Sequence, residues 1–405
     1  MHHLDFDEKA QKAKDKMASL GSDIDLSTFS SEPVSHDYLQ ELTALSEEDR
    51  ERMLLAGVDV SESERSGTYV QKDTSVVHSH SKVEGLEVIP IKQALEQYDW
   101  VYDYYWKLVE VDTDKYTARA QLELHDGYVI RALPGSRVIY PVQSCLYIDK
   151  DNLSQNVHNL IIAEEESELH VITGCATSRH LRRGLHVGIS EFFVKKNAKL
   201  SFTMIHNWAE EMMVRPRSVG IVEEGGLFLN NYICMKPVKS LQMYPTTHLV
   251  GKGAVSRFYS LIIGSPGSTL DVGGRIILKE VETRAEIVAR TISNGGDIVA
   301  RGDLVGEVPG VKAHLECRGL ILKGGSIHAI PELRGMVDGV EMSHEAAVGK
   351  IAQEEILYLM SRGLTEDEAT ATIVRGFMSV DIPGLPPQLK AQIDRAVEES
   401  DKDVM

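Results

Sequence analysis

The sequence predicts a mainly β protein whose core is a solenoid of short strands between helical ends. Short alternating apolar runs, separated by Gly, Asn or Asp, fill the chain from about Leu86 to Val340, as in Glu168–Thr173. One of these segments, Ala285–Arg290, recurs as Ala313–Arg318 about 28 residues later. Such repeats favour a β-solenoid, because each coil buries its apolar face only by stacking on the next. A β-sandwich is the competing architecture.

The first 75 residues are predicted to form a helical, peripheral N-terminal region that ends in a linker. His36–Ala44 is amphipathic, and Ser46–Asp49 has the residues of a helix start that leads into Arg50–Leu55. Val60–Ser75 is rich in Ser, Glu and Lys and poor in apolar residues. Because such a composition buries little apolar surface, we expect a linker there.

The helical period returns near the C-terminus. A helix is expected over Glu345–Arg362, where Gly363 ends it. Thr365–Glu368 is a capping box for a second helix that runs to about Phe377. A final amphipathic segment is expected at Gln388–Glu398.

Length and composition limit the range of functions. The 405-residue chain divides into an N-terminal region (1–75), a β-helix core (76–340) and a C-terminal helical domain (341–405). A net charge of −18 argues against nucleic acid or anionic lipid as a partner. Without a signal-peptide pattern or an apolar stretch of membrane-spanning length, a soluble cytoplasmic protein is expected. Four widely spaced cysteines are expected to be free thiols: Cys145, Cys175, Cys234 and Cys317.

Several catalytic signatures are incomplete. Gly349 and Lys350 lack the first glycine of a phosphate-binding loop, since His344 stands in its place. A partner must therefore bind ATP if ATP is used. His344 and Glu345 begin like a zincin helix, but Val348 replaces the second histidine, which excludes that class of metalloprotease.

The strongest remaining candidate is a cluster of potential iron ligands. In a solenoid with coils of this size, Cys317 and the pair His344 and Glu345 lie about one coil apart, so they can face a common surface. Thiolate, imidazole and carboxylate all bind iron, and thiolate is the preferred ligand of a cluster. Arg318 is expected to lower the pKa of the neighbouring thiol. The alternative is an ordinary core cysteine and a histidine that caps a helix.

Three tracts resemble the SufB/SufD family, and the resemblance covers about residues 85–380. These tracts are Ser343–Phe377, Asn152–Cys175 and His206–Trp208. The resemblance implies a right-handed parallel β-helix flanked by N-terminal and C-terminal α-helical domains. It also implies a scaffold, rather than an enzyme, on which a transient nascent iron–sulfur cluster is built. ATP hydrolysis is then expected in a partner, the ABC-type ATPase SufC.

The resemblance implies a route for sulfur. Cys175 matches the SufB cysteine that receives sulfur as a persulfide from a cysteine desulfurase or a sulfur shuttle. Trp208 matches a tryptophan of the family's sulfur tunnel, and His206 lies in the same tract. His206 is also a departure, because SufB-type chains usually carry Gln there. Cys145 and Cys234 have no match in the family and are expected to be ordinary buried thiols.

The resemblance also implies a cluster site. Cys317 matches the SufB cysteine that holds the cluster or its sulfur, and Glu345 matches a SufB acid implicated beside it. His344 matches the SufD histidine that faces the SufB cysteine across the subunit interface. Since one chain carries both kinds of residue, we expect a homodimer in a complex of two scaffold and two SufC subunits. In it, Cys317 of one subunit meets His344 or Glu345 of the other. The completed cluster then passes to an apo iron–sulfur acceptor protein.

The C-terminal helices match the family's docking surface for SufC. The residues expected to contribute are Glu354, Tyr358, Arg362 and Gly363. Two alternative functions stay open from the sequence. One is a SufD-like structural partner that lacks its own cluster and pairs with a separate SufB. The other is a β-helical carbohydrate-active enzyme, which the fold alone permits.

Overall fold

The strands of this protein stack in parallel, one coil upon the next. The structure, a computed structural model, describes residues 2–61 and 63–378. It contains 46% strand and 18% helix, arranged as a parallel β-solenoid of about eight turns with helices at both ends. The predicted fold class is confirmed, and the β-sandwich is excluded because its sheets would be antiparallel.

Two sheets form the walls of the solenoid. The first sheet has ten strands: β1 (Gly67–Lys72), β2 (Ser75–Ser81), β5 (Val142–Ile148), β7 (Glu168–Thr177), β9 (Lys199–Asn207), β12 (Leu227–Cys234), β15 (Val255–Gly264), β17 (Arg284–Ser293), β19 (Lys312–Ile321) and β21 (Glu341–Gly349). The second sheet comprises β3 (Leu86–Pro90), β4 (Tyr128–Ala132), β6 (Ser154–Ala163), β8 (Arg183–Val194), β10 (Glu211–Val214), β11 (Arg217–Val222), β13 (Ser240–Met243), β14 (Thr246–Leu249), β16 (Thr269–Leu278), β18 (Asp297–Gly306) and β20 (Ser326–Gly335). Only the pairs β1–β2 and β3–β4 are antiparallel among the described strands.

Helices lie at the ends of the chain and over the outer face of the second sheet. They are α1 (His2–Ala13), α2 (Glu47–Leu55), α3 (Ile91–Gln97), α4 (Lys115–Leu122), α5 (Gln353–Ser361) and α6 (Glu366–Met378), with 3₁₀ turns at Leu26–Thr28, Leu42–Ala44 and Asp99–Asp103. None of the helices in residues 2–61 and 63–378 is long and apolar enough to cross a bilayer.

The sequence repeat corresponds to the stacking register. Ala285 of β17 pairs with Ala313 of β19, and Ile298 of β18 pairs with Ile327 of β20. Because paired residues of adjacent strands point to the same side, the repeat places like residues in continuous columns. The inward-facing columns of both sheets form one apolar core along the solenoid.

The predicted linker at Val60–Ser75 is wrong, because Gly67–Lys72 forms strand β1. This strand pairs in parallel with β5 at the start of the solenoid. Tyr69 packs into the solenoid interior, and Val70 is buried on the outer face beneath the N-terminal segment. The polar residues that flank the strand lowered the apolar content of the sequence window and concealed it.

The predicted helix start at Ser46 is confirmed, whereas His36–Ala44 is not a helix. The Ser46 hydroxyl accepts a hydrogen bond from the Asp49 backbone N–H at 3.1 Å and caps α2. The preceding chain is extended apart from one 3₁₀ turn, and the Leu39 N–H donates to the Val77 carbonyl at 2.7 Å. Its apolar residues face β1 and β5, which explains the amphipathic pattern without a helix.

The core also contains helices that the sequence pattern did not reveal. With seven and eight residues, α3 and α4 are too short to establish a helical period. Local chemistry did mark α4, because the Asp114 side chain accepts from the Thr117 N–H at 3.1 Å and the Thr117 hydroxyl accepts from the Asp114 N–H at 3.1 Å. This capping box fixes the start of the helix.

The helix predicted over Glu345–Arg362 begins too early, because Glu341–Gly349 is strand β21. Its alanines and valine suit a helix, but the strand extends the ladder of β19. The later boundaries are confirmed: Gly363 lies at φ +99° just after α5, and Thr365 and Glu368 form the capping box of α6. The predicted segment Gln388–Glu398 lies outside the described residues.

One buried carboxylate anchors the helical layer to the second sheet. Glu191 of β8 is fully buried and accepts backbone N–H bonds from Trp106 at 2.7 Å and from Val109 at 3.1 Å. His158 Nε2 lies 2.8 Å from the same carboxylate, and its ring packs between Tyr105 and Trp106. Charge-assisted bonds of this kind are about twice as strong as neutral ones, so Glu191 fixes the loop before α4.

We expect Glu191→Ala to lower the free energy of unfolding by about 3 kcal/mol or more, since it leaves several N–H groups buried without an acceptor. Urea denaturation followed by circular dichroism measures the effect. Glu210→Ala, in an exposed turn, is the control and should change stability by less than about 0.5 kcal/mol. Equal urea midpoints for the two variants would contradict the assigned role.

Candidate functional site

Two columns of inward-facing residues on the first sheet contain three of the candidate residues: Cys175, His206 and Cys317. The Cys175 column consists of Leu146, Cys175, His206, Cys234, Ile262, Thr291 and Gly319. The Cys317 column consists of Ser144, Thr173, Met204, Tyr232, Ser260, Ala289, Cys317 and Ala346. Successive members lie on adjacent strands, which are about 4.8 Å apart.

Cys175 is fully buried in the solenoid interior, one strand away from His206. Burial raises the pKa of its thiol well above the ordinary value, and the nearby thiols of Cys145 and Cys234 raise it further. Because the thiolate is the nucleophilic form of cysteine, Cys175 is an inert thiol while the interior stays closed.

His206 and Trp208 form an aromatic pocket beside Cys175. His206 Nδ1 lies 2.8 Å from the Tyr232 hydroxyl, and the Trp208 ring stands edge-on at 5.4 Å between ring centroids. Burial, helped by nearby His186, lowers the pKa of His206 well below its ordinary value, so the imidazole is neutral. His206 Nε2 and Trp208 Nε1 are both buried without a hydrogen-bond partner in the described part of the chain.

Cys234 belongs to this group, although sequence reasoning treated it as an ordinary buried thiol. It is buried, as expected, and it pairs in register with His206, on the side of that residue away from Cys175. Burial raises the pKa of its thiol to about 12. Its spacing of one coil from His206 was the signal that could have identified it. Cys145 is also buried, but on the outer face beneath the N-terminal segment.

Cys317 lies on β19, one strand before the end of the first sheet, and is 2% exposed. The expectation that Arg318 lowers the pKa of this thiol is wrong. Burial, followed by the nearby Glu316 carboxylate, raises that pKa to about 11. Arg318 points to the outer face, where its Nε lies 2.8 Å from Glu316 and its Nη2 lies 2.9 Å from Glu345. Alternation along the strand separates the guanidinium from the thiol.

The structure divides the predicted iron ligands between two faces of the sheet. His344 of β21 pairs with Leu315, so it shares the inward face with Cys317 at a Cα distance of about 8 Å by strand geometry. Glu345 points outward with Arg318 and is 57% exposed. In the ranges 2–61 and 63–378, no three His, Cys, Asp or Glu side chains are grouped to hold a metal ion.

The sheet is open beside these residues. β21 pairs with β19 on one side, and no described strand pairs with its other side. Every residue from Ser343 to Gly349 is exposed. An unpaired edge with alternate side chains available is a surface to which another chain can add.

The predicted docking residues lie on the hairpin formed by α5 and α6. Helix α6 packs Val374 and Met378 against the outer face of the first sheet. Tyr358 on α5 is 59% exposed, and the Arg362 guanidinium lies 5.2 Å from the centroid of its ring. Glu354, Arg362 and Gly363 are also exposed. Helix α6 therefore holds the hairpin against the sheet, and the outer side of α5 is exposed to solvent.

Comparison with known proteins identifies close relatives. A family model described as "SUF system FeS cluster assembly, SufBD core domain" matches residues 146–377. An iron–sulfur cluster assembly SufBD family protein of Methanothermobacter thermautotrophicus (strain Winter) is 49% identical over 399 residues, 97% of each chain. A SufBD family protein of Archaeoglobus fulgidus is 52% identical over 358 residues, 88% of this chain and 96% of the relative. The iron–sulfur cluster assembly protein SufB of Bacillus subtilis is 28% identical over 348 residues, 82% of this chain and 73% of the relative.

Alkylation by iodoacetamide tests the state of the Cys317 thiol. Because its pKa is about 11, the labelling rate should rise about tenfold per pH unit throughout the range below that value. Peptide mass spectrometry measures the rate at each cysteine, and denatured protein, in which all four thiols react, is the control. A rate that levels off near the pKa of a free cysteine would contradict the buried, protonated thiol.

Proposed function

The chain belongs to the SufBD family of iron–sulfur cluster assembly proteins, and from this premise we propose that it is a scaffold subunit for cluster assembly and transfer. One observation supports the proposal: Cys175 lies deep in the solenoid, whereas Cys317 and His344 share the inward face of the last two strands of the first sheet, at the open end. Thiolate and imidazole are ligands for iron, so the open end is where the cluster is built.

Cys175 accepts sulfur in this proposal. Its thiolate attacks the outer sulfur of a persulfide on a cysteine desulfurase or a sulfur shuttle. A new S–S bond to Cys175 forms while the donor's S–S bond breaks, and the donor leaves as a thiolate. Because Cys175 is buried and protonated at rest, the reaction requires the interior to open first. His206 and Trp208 line the entrance to the path.

The path from Cys175 to Cys317 crosses five strand spacings, about 24 Å. Most of the strands between Cys175 and Cys317 carry no inward-facing thiol, so sulfur cannot pass from cysteine to cysteine by contact. It travels as a released species, for example as sulfide set free from the persulfide by an external dithiol that becomes a disulfide. The inward column residues, rather than a chain of thiols, then define the route.

A second copy of the chain completes the cluster site. One subunit offers Cys317 and His344 on the inward face and Glu345 on the outward face, which is too few ligands for a cluster. The open edge of β21 allows a homodimer in which Cys317 of one subunit approaches His344 or Glu345 of the other. Exposed apolar residues beside this edge, among them Met336 and Val348, support an interface there.

The SufC-type ATPase acts on this site from the C-terminal hairpin. Only residues 350–352 separate β21 from α5, so a movement of α5 is transmitted directly to the strand that carries His344 and Glu345. ATP-driven closure of two SufC subunits would move the two hairpins and open the dimer interface, which couples hydrolysis to cluster release. An apo iron–sulfur protein receives the cluster.

A SufD-like structural role is the second candidate. The raised pKa of Cys317 and the lack of a three-ligand group among the described residues favour it over a self-sufficient site. The two candidates differ in their partner. A scaffold forms a homodimer that holds a cluster, whereas a SufD-like chain pairs with a different family member and holds none by itself.

Anaerobic reconstitution with ferrous iron and sulfide tests the scaffold proposal. We expect Cys317→Ala to lose at least about 90% of the charge-transfer absorbance of the wild-type cluster, because it removes the preferred ligand type. Cys145→Ala, which removes a buried thiol on the outer face, should retain the cluster. Full assembly by Cys317→Ala would refute the site.

Tyr358→Ala tests the docking surface. Loss of a central aromatic anchor should weaken binding to a SufC-type ATPase by about 2 kcal/mol, roughly 30-fold in Kd, measured by isothermal titration calorimetry. Tyr140→Ala removes another exposed tyrosine, on the loop before β5, and should leave the affinity unchanged. Equal affinities for the two variants would exclude α5 from the interface.

A further inference from the structure

Two polar side chains inside the solenoid each have a nitrogen without a hydrogen-bond partner. His206 and Trp208 are both 3% exposed, and neither His206 Nε2 nor Trp208 Nε1 is paired within the described part of the chain. Folded proteins pair nearly all of their buried polar groups, so each group left unpaired requires an explanation. Two such groups on neighbouring rings suggest a ligand that accepts hydrogen bonds.

The Tyr232 hydroxyl determines which nitrogen of His206 carries the proton. This hydroxyl lies 2.8 Å from His206 Nδ1, its only hydrogen-bond partner among the described residues. Burial raises the pKa of Tyr232 well above its ordinary value, so the hydroxyl keeps its hydrogen. If Nδ1 carried the imidazole proton, that hydroxyl hydrogen would have no acceptor, and the Nε2 lone pair would be unpaired as well. The hydroxyl therefore donates to Nδ1, and the neutral imidazole carries its proton on Nε2.

His206 Nε2–H and Trp208 Nε1–H are consequently two donors without an acceptor beside Cys175. The two rings lie 5.4 Å apart between their centroids. Nε2 is on the part of the imidazole ring farthest from the backbone, so it projects into the interior. Cys175 pairs in register with His206, one strand spacing of about 4.8 Å away. A group attached to the Cys175 sulfur would therefore extend into the space beside the donors.

A persulfide on Cys175 has the chemistry that these donors require. The resting thiol is protonated and is only a weak acceptor. The terminal sulfur of a persulfide is more acidic than a thiol, and it lies one S–S bond of about 2.05 Å beyond Sγ. Hydrogen bonds to an anion are about twice as strong as those between neutral groups. Burial lowers the pKa of nearby His186 to about 3, so that ring is neutral and the N–H donors have to stabilise the anion.

We propose that His206 and Trp208 form a two-donor site for the anionic terminal sulfur of a persulfide on Cys175. Tyr232 is the positioning residue that keeps the imidazole proton on Nε2. The inference rests on the proposed function, in which Cys175 receives sulfur, and it adds how that sulfur is held before release. Loading forms the new S–S bond and breaks that of the sulfur donor, and the proton of the Cys175 thiol leaves with the donor's sulfur.

NMR spectroscopy can observe the Trp208 donor directly, without cluster assembly. Inorganic polysulfide can load Cys175 by transferring one sulfur atom and leaving one atom shorter, and peptide mass spectrometry gives the loaded fraction. The indole N–H proton signal of Trp208 should have the position of a free N–H at rest and move downfield on loading. Trp106, whose Nε1 donates to Gln121 at 2.7 Å, is the internal control and should not move. Cys175→Ser, treated in the same way, should leave both signals unchanged.

Each outcome of this experiment has a distinct meaning. A Trp208 N–H that is hydrogen-bonded before loading would show that a buried water occupies the donor, and it would overturn the proposal. An unchanged Trp208 signal at full loading would overturn it as well, and so would failure of polysulfide to load Cys175. If polysulfide loads Cys175 and shifts the signal but a cysteine desulfurase cannot load it, the sulfur-acceptor step of the proposed function fails while the two-donor site stands.

The acidity of the persulfide tests the donors by a second route. Trp208→Phe keeps an aromatic ring and removes one N–H, so it should lower the acid dissociation constant of the Cys175 persulfide about tenfold. A pH titration of the near-ultraviolet absorbance of the anion measures this constant. Trp100→Phe, in the helical layer outside the solenoid, is the matched control. Tyr232→Phe should shift the His206 proton partly to Nδ1, which ring ¹⁵N chemical shifts report. Equal titration midpoints for the two tryptophan variants would contradict the donor role, because a purely structural effect changes stability and not this midpoint.

Discussion

In-register parallel hydrogen bonding between successive coils is the constraint on which the rest of the structure depends. It converts a residue's position along a strand into a fixed column and a fixed face, over the whole length of the solenoid. Cys175, His206 and Cys234 share one column for this reason, and Ala289 lies directly beneath Cys317. A register shift of one residue would turn every thiol of these columns out of the interior.

The same stacking determines the chemical state of the interior. Each coil covers the one before it, so the thiols lose contact with water and their pKa values rise. Strand β21 is not covered in this way, because no further coil follows it among the described residues. Among the described strands, the open edge of β21 is therefore where inward-facing side chains of the first sheet meet solvent.

Much of the fold could be predicted from sequence, because coil length and helix caps are local signals. The repeat at Ala285 gave the stacking register, and Ser46 marked the start of α2. The face of the sheet to which a given side chain points was harder to predict, because neighbouring residues of a strand point to opposite sides. Arg318 and Glu345 were placed beside the Cys317 thiol, yet both lie on the other face of the sheet. Isolated strands with polar flanks, such as β1, also lack a sequence signal of their own.

The short connection between β21 and α5 limits how far the hairpin can travel. Three residues span at most about 10 Å when fully extended. If the hairpin moves farther than this connection can extend, β21 must separate from β19, beginning at Gly349 and proceeding toward Ser343. The hydrogen bonds between β21 and β19 would then break one after another, which requires less force than breaking all of them together. Strand β19 would become the last strand of the sheet.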